Sequence, residues 1–232
     1  MITLNNVTKS YQGNVVLNIP SLEIKAGESF GLVGNNGAGK TTMFSLLLDL
    51  IRATTGEVTS KGLNVSKTEE WKKFTGAYLD EGFLLEFLTP QEFFEFTGRL
   101  YGKNKSDVSK FLEQYTDFFN DEILDNKKYI RDLSKGNQKK VGVVAALIGD
   151  PDIIVLDEPF ANLDPTTQIR LKNLLNQLAV EKTVIISSHD LNHVTDVCNR
   201  IVVLEKGQIV KDIETNVDTL KELEAFFTGL MV

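Results

Sequence analysis

Eight consecutive residues, Gly34, Asn35, Asn36, Gly37, Ala38, Gly39, Lys40 and Thr41, have the pattern G-x-x-x-x-G-K-[ST]. The chemistry open to such a run is the binding of a triphosphate. Its glycines let the backbone curl until successive N–H groups point at phosphate oxygens. An apolar strand at residues 30–33 leads in and an apolar helix expected over residues 40–51 leads out, so the loop meets the positive end of a helix dipole. In that setting Lys40 reaches the β- and γ-phosphates and the Thr41 hydroxyl ligates Mg²⁺. The whole run with Thr42 is the candidate ATP site. At average composition, chance would place this pattern in on the order of 1% of chains of this length. A dinucleotide-binding loop would need G-x-G-x-x-G and no lysine–threonine pair, and is rejected.

A second motif has acids where the first has amides. Residues 153–156 are Ile-Ile-Val-Leu, followed by Asp157 and Glu158. An apolar strand delivers such carboxylates to the carboxyl edge of a sheet, where open α/β folds bind ligands. Asp157 is the candidate Mg²⁺ ligand, and Glu158 is placed to polarise an attacking water. A surface acidic pair at a strand end is common, so the pairing with the phosphate loop carries this reading. Residues 183–187 form a further apolar strand that leads into Ser188, His189 and Asp190. His189 is the candidate γ-phosphate sensor, although a histidine in a loop is by itself more often only polar.

These residues need a scaffold, and the pattern of the chain supplies one. Residues 2–8, 15–24, 28–33, 56–60 and 75–79 read as strands. Residues 81–140 read as helical: Pro90 suits a first helical position, and Ser106 is the expected cap of the next helix. Strands and helices then alternate through a hairpin at Lys206-Gly207. The result is an α/β fold, a P-loop NTPase core with an N-terminal antiparallel β subdomain and a helical subdomain. The expected organisation is one domain over residues 1–232. Residues 1–80 and 150–215 form the core, 81–149 the helical part and 216–232 a C-terminal helix with Leu220, Leu223, Phe226, Phe227 and Leu230 at helical spacing.

Composition narrows the function classes. In 232 residues, 42% hydrophobic and 25% charged content is that of a globular protein. The net charge of −7 argues against a general nucleic-acid binder. The first residues show no charged segment leading into an apolar run, so no signal peptide is expected. Apolar stretches such as 141–148 are too short to cross a bilayer, and any membrane crossing falls to another chain. Cys198 is the one cysteine, which fits a reducing cytosol.

Between the two acidic and phosphate motifs lies Leu133-Ser134-Lys135-Gly136-Asn137-Gln138. With them it resembles the signature of the ATP-binding cassette (ABC) ATPases, usually LSGGQ; Lys135 and Asn137 depart from it. Small GTPases and nucleoside kinases lack this element. The resemblance runs from Tyr11 to about Gly207 and implies further roles. Tyr11 matches the aromatic that stacks on adenine. Residues 161–165, with Asp164, resemble the D-loop. Ser134 and Gly136 would complete the γ-phosphate shell of a second ABC ATPase subunit in a head-to-tail homodimer with ATP. Where the family has a glutamine, this chain has Asp80-Glu81, and Glu81 is the best candidate for that place and a third metal ligand. The apolar run Phe83, Leu84, Leu85, Phe87 and Leu88 corresponds to the neighbourhood that receives an integral membrane permease, though at least half of it is expected in the core. The tail resembles exporter ATPases of the ABC-2 type. The implied function is an ATPase on the cytoplasmic face of a membrane that drives export, with no nucleic-acid partner. A soluble ABC ATPase acting on ribosomes or DNA is the alternative. It is disfavoured because ribosome-acting members usually have two cassettes and chromosome-acting members a long coiled coil. A nucleotide-binding regulator without turnover is disfavoured by Glu158 and His189.

Overall fold

A computed structural model of the chain describes residues 1–124 and 127–229. It begins with β1 (Ile2–Tyr11), β2 (Asn14–Ile24) and β3 (Ser29–Val33), then α1 (Lys40–Leu47), β4 (Thr55–Ser60), β5 (Leu63–Asn64) and β6 (Thr75–Tyr78). Helices α2 (Pro90–Leu100), α3 (Lys105–Glu113), α4 (Thr116–Phe119) and α5 (Lys135–Leu147) follow. The chain then alternates through β7 (Ile153–Leu156), α6 (Pro165–Leu178), β8 (Thr183–Ser188), α7 (Leu191–Val197), β9 (Arg200–Glu205), β10 (Gln208–Glu214) and α8 (Thr219–Phe227).

Two sheets result. The small one is antiparallel in the order β2-β1-β4-β5. The large one has the order β10-β9-β3-β8-β7-β6, parallel except for the β9–β10 hairpin. Its central strands are apolar on both faces, as expected when both faces are covered. Alternation by two sends Ile154, Leu156, Val184, Ile186, Ile201 and Val203 to one face, packed with the helical region. Phe30, Leu32, Ile153, Val155, Ile185 and Val202 go to the other, packed with α1 and the small sheet. Among the described residues no helix is long and apolar enough to cross a membrane.

Some local expectations shift. Helix α1 ends at Leu47 rather than 51, because Asp49 takes a left-handed backbone with φ 52°. The cap of α3 is Asn104, not Ser106. Its side chain accepts from the Asp107 N–H and the Asp107 carboxylate accepts from its own, a reciprocal pair that starts the helix two residues earlier. At α2, Thr89 and Glu92 make the same box before Pro90. Phe93 and Phe94 are buried on α2, whereas Phe96 and Tyr101 are partly exposed. In the tail, Leu223 is buried and Phe226 and Phe227 pack partly against the core; Leu230 lies outside the described residues.

Helix α5 lies directly on β6. A Cβ on Gly76 would stand 1.9 Å from the Ala146 carbonyl oxygen, and one on Gly142 would stand 2.1 Å from the ring of buried Tyr78. Gly142→Ala is therefore expected to lower the unfolding free energy by about 1–3 kcal/mol through overpacking. Urea denaturation with an unchanged slope would read this. A wild-type midpoint would mean that the ring and helix can part without cost.

Candidate active site

The phosphate loop joins β3 to α1. Gly37 and Gly39 hold φ 82° and 108°, conformations that glycine takes without steric penalty. Gly39 precedes the first turn of α1 with no side-chain cap, which leaves N–H groups available to a phosphate. The Lys40 side chain folds back over the loop. Its Nζ donates to the Gly34 carbonyl at 2.7 Å and lies 3.5 Å from Glu158 Oε1.

Three parallel strands, β3, β8 and β7 in that order, bring the remaining groups to the same edge. The Thr41 hydroxyl donates to Asp157 Oδ2 at 2.6 Å. The Ser187 hydroxyl, at the end of the intervening β8, donates to the other Asp157 oxygen. The Ser187 Oγ also accepts from the Glu158 N–H at 2.9 Å. The Glu158 carboxylate stands between Lys40 and His189, whose Nδ1 is 2.8 Å from Oε2. Glu158 itself is twisted to φ 47°, a left-handed backbone for a residue other than glycine. Tyr11, half exposed at the end of β1, lines a cleft of about 330 Å³ with Val16, residues 35–42, Asp157 and Glu158.

The structure thus brings together Lys40, Thr41, Asp157, Glu158 and His189. Other candidates stand elsewhere. Ser134 is exposed at the N-terminus of α5, where its hydroxyl accepts from the Asn137 N–H. A Cβ on Gly136 would meet the Asn162 carbonyl at 2.9 Å, so the signature segment rests on the loop that carries Asp164. Asp164 caps α6. Its carboxylate accepts from the Thr167 hydroxyl and N–H, and these bonds hold its pKa below the usual range. Glu81 is not among the residues lining the cleft. It sits 3.9 Å from Lys139 Nζ, and its charge adds to burial in raising the pKa of Tyr78.

Two residues at the site were not singled out from the sequence. Ser187 had a signal, a polar residue closing an apolar strand. Lys139 had none: it is buried on α5 and donates to the Glu158 carbonyl at 2.8 Å. Burial holds its pKa below the usual lysine range, against the pull of Glu81, Glu158, Asp157 and Asp80.

The oxygens converging at Thr41 and Asp157 suit Mg²⁺, a hard cation that takes one or two carboxylates and keeps several waters. The described residues hold no cluster of three or more acidic, histidine or cysteine ligands, as all-protein cages for other cations require.

A phosphate loop after one parallel strand, an acidic pair after another, and a polar strand end between them define a P-loop nucleoside triphosphatase. The family model described as "ABC transporter" matches residues 17–161. The chain belongs to that family: it is an ATP-binding ATPase subunit of an ABC transporter. It is 37% identical over 212 residues to "Uncharacterized ABC transporter ATP-binding protein MJ1023" of Methanocaldococcus jannaschii, covering 90% of this chain and 76% of the relative. It is 34% identical over 217 residues to the ABC transporter ATP-binding protein NatA of Bacillus subtilis, covering 90% and 88%. The chain spans little more than half the length of two other relatives. Among solved structures, the dimeric post-hydrolysis state of the ATP-binding cassette MJ0796 bound to ADP and Pi superposes with a TM-score of 0.83 at 26% identity, covering 93% of this chain and 99% of that one.

Proposed function

We propose that this subunit powers a separate membrane permease, most simply an exporter, by ATP-dependent association of two copies at the cytoplasmic face. The observation that carries the reading is the Glu158 carboxylate held between Lys40 at 3.5 Å and His189 at 2.8 Å, over a phosphate loop open to solvent. Lys40 and the loop amides neutralise the triphosphate. Tyr11 stacks on the base. Glu158 accepts a hydrogen bond from the attacking water, so that a new P–O bond forms as the bond from the γ-phosphorus to the bridging oxygen breaks. His189 holds the Glu158 carboxylate from the open side and follows the γ-phosphate. Thr41 and Asp157 would hold Mg²⁺, which supplies charge neutralisation at the phosphates. Ser134, Gly136 and Asp164 act on a second copy's nucleotide. All three lie at the N-terminal ends of α5 and α6, outside the chain's own cleft, with Ser134 and Asp164 exposed, which supports a composite site.

The permease reading rests on the 3₁₀ turn Glu81–Phe83 and the residues after it. Leu84 is buried, but Phe83 and Phe87 are 56% and 60% exposed, a pair of aromatic rings largely open to solvent. Phe83→Ser/Phe87→Ser is expected to leave solution ATPase activity unchanged and to reduce sedimentation with membranes of the source cells several-fold. Equal recovery of both proteins with membranes would remove this surface from the proposal. Sedimentation with ribosomes instead would favour the soluble alternative.

A further inference from the structure

Lys139 is a charged side chain only 5% exposed, in a helix that runs on from Lys140 into the apolar stretch 141–147. Such a group persists where specific partners compensate its lost hydration. Its partners lie on two separate segments. One is the carbonyl oxygen of Glu158, 2.8 Å away; the other is the carboxylate of Glu81, 3.9 Å away, in the turn that leads to Phe83 and Phe87. A lysine ammonium has three donors on a compact charge and serves both at once.

The bond to Glu158 falls where the backbone needs support. With φ 47°, Glu158 is in a region that costs a residue other than glycine on the order of 1–3 kcal/mol unless its surroundings impose it. Its N–H is tied to Ser187 and its carbonyl to Lys139, so both peptide groups that flank the twist are anchored. The twist sets the direction of the carboxylate between Lys40 and His189.

We infer that Lys139 is a positioning residue for hydrolysis: it fixes the Glu158 backbone by its carbonyl, and through Glu81 it ties that hold to the turn bearing Phe83 and Phe87. Movement of the turn then alters the aim of the catalytic carboxylate without touching the nucleotide. The inference rests on the reading above that Glu158 orients the water.

The test uses the purified full chain, steady-state ATPase kinetics and titration with a fluorescent ATP analogue. Lys139→Met is expected to lower kcat by about 10- to 100-fold, the scale of a misplaced catalytic group, with nucleotide affinity unchanged. Lys139→Arg is expected to restore most of the rate. Glu81→Gln removes the carboxylate paired with Lys139 and is expected to lower kcat about threefold, an effect that vanishes in the Lys139→Met background. Wild-type kcat in Lys139→Met would overturn the inference, as would a parallel loss of rate and affinity that arginine does not restore. Additive effects of the two substitutions would overturn the link to the turn. If Lys139→Met does not fold, Glu81→Gln and Lys139→Arg decide: support requires the reduced and the near-full rate respectively, and wild-type kcat in Glu81→Gln overturns the link. Glu158→Gln assayed in parallel separates the two layers. Full turnover there sinks the reading of Glu158, whereas low turnover there with a normal Lys139→Met sinks only the inference.

Discussion

Glu158→Gln is expected to bind ATP, to form a dimer that persists, and to turn ATP over about 10²–10⁴-fold more slowly than the wild type, the range for loss of a general base. The amide keeps the size of the side chain but cannot take a proton from water. It also removes a negative charge from beside the γ-phosphate, where Lys40 stands 3.5 Å from Glu158 Oε1. Binding is thus strengthened as chemistry is lost, and the ATP-bound state accumulates. Light scattering would read a mass near 25.9 kDa without ATP and twice that with it. A monomer in both conditions, with ATP bound, would contradict two self-sufficient copies and favour a different second cassette or a scaffold supplied by the permease.

Lys40→Ala is expected to weaken ATP binding by about 10- to 100-fold, the factor for a charge-assisted hydrogen bond to phosphate. The side chain is 7% exposed, and its hydrogen bond is to the Gly34 carbonyl, part of the loop itself. Incoming phosphate oxygens offer the ammonium a stronger acceptor close by. Its removal also leaves the Glu158 carboxylate with His189 alone. Titration with a fluorescent nucleotide checks the affinity, and a thermal melt within a few degrees of wild type shows that the fold is intact. Wild-type affinity would mean that the loop does not hold the triphosphate as described. The two variants part the functions: one retains nucleotide without turnover, the other loses the nucleotide.

Much of this was legible in the chain because the signals are local. The phosphate loop is contiguous, and its conformation follows from glycine freedom next to a helix start. The strand before Asp157 reads from four apolar residues, and the cap at Thr89 reads from the proline after it. Where local signals competed, helix ends fell two to four residues from the expected place. Asn104 and Ser106 are both good caps, and the choice fell to Asn104 because Asp107 stands three residues on to complete the box. Helix α1 stopped early because Asp49 took a left-handed turn that no glycine announced.

What the sequence by itself determined is the set of candidate groups and their carriers: Lys40 and Thr41 on a phosphate loop, Asp157 and Glu158 after an apolar strand, and His189 after another. Those assignments depend on residue type and short spacing, and both are printed in the chain. What only the tertiary structure decided is which groups share an edge and what holds them. Strand order placed β8 between β3 and β7, so that Ser187 braces Asp157 and Glu158 together. The close approach of α5 to β6, permitted by Gly76 and Gly142, buried Lys139 between Glu81 and the Glu158 carbonyl. Sequence separations of 58 residues and 19 residues connect those partners to one lysine. No local pattern encodes such contacts, because they arise only when a packed interface excludes water and leaves a buried charge to find its acceptors.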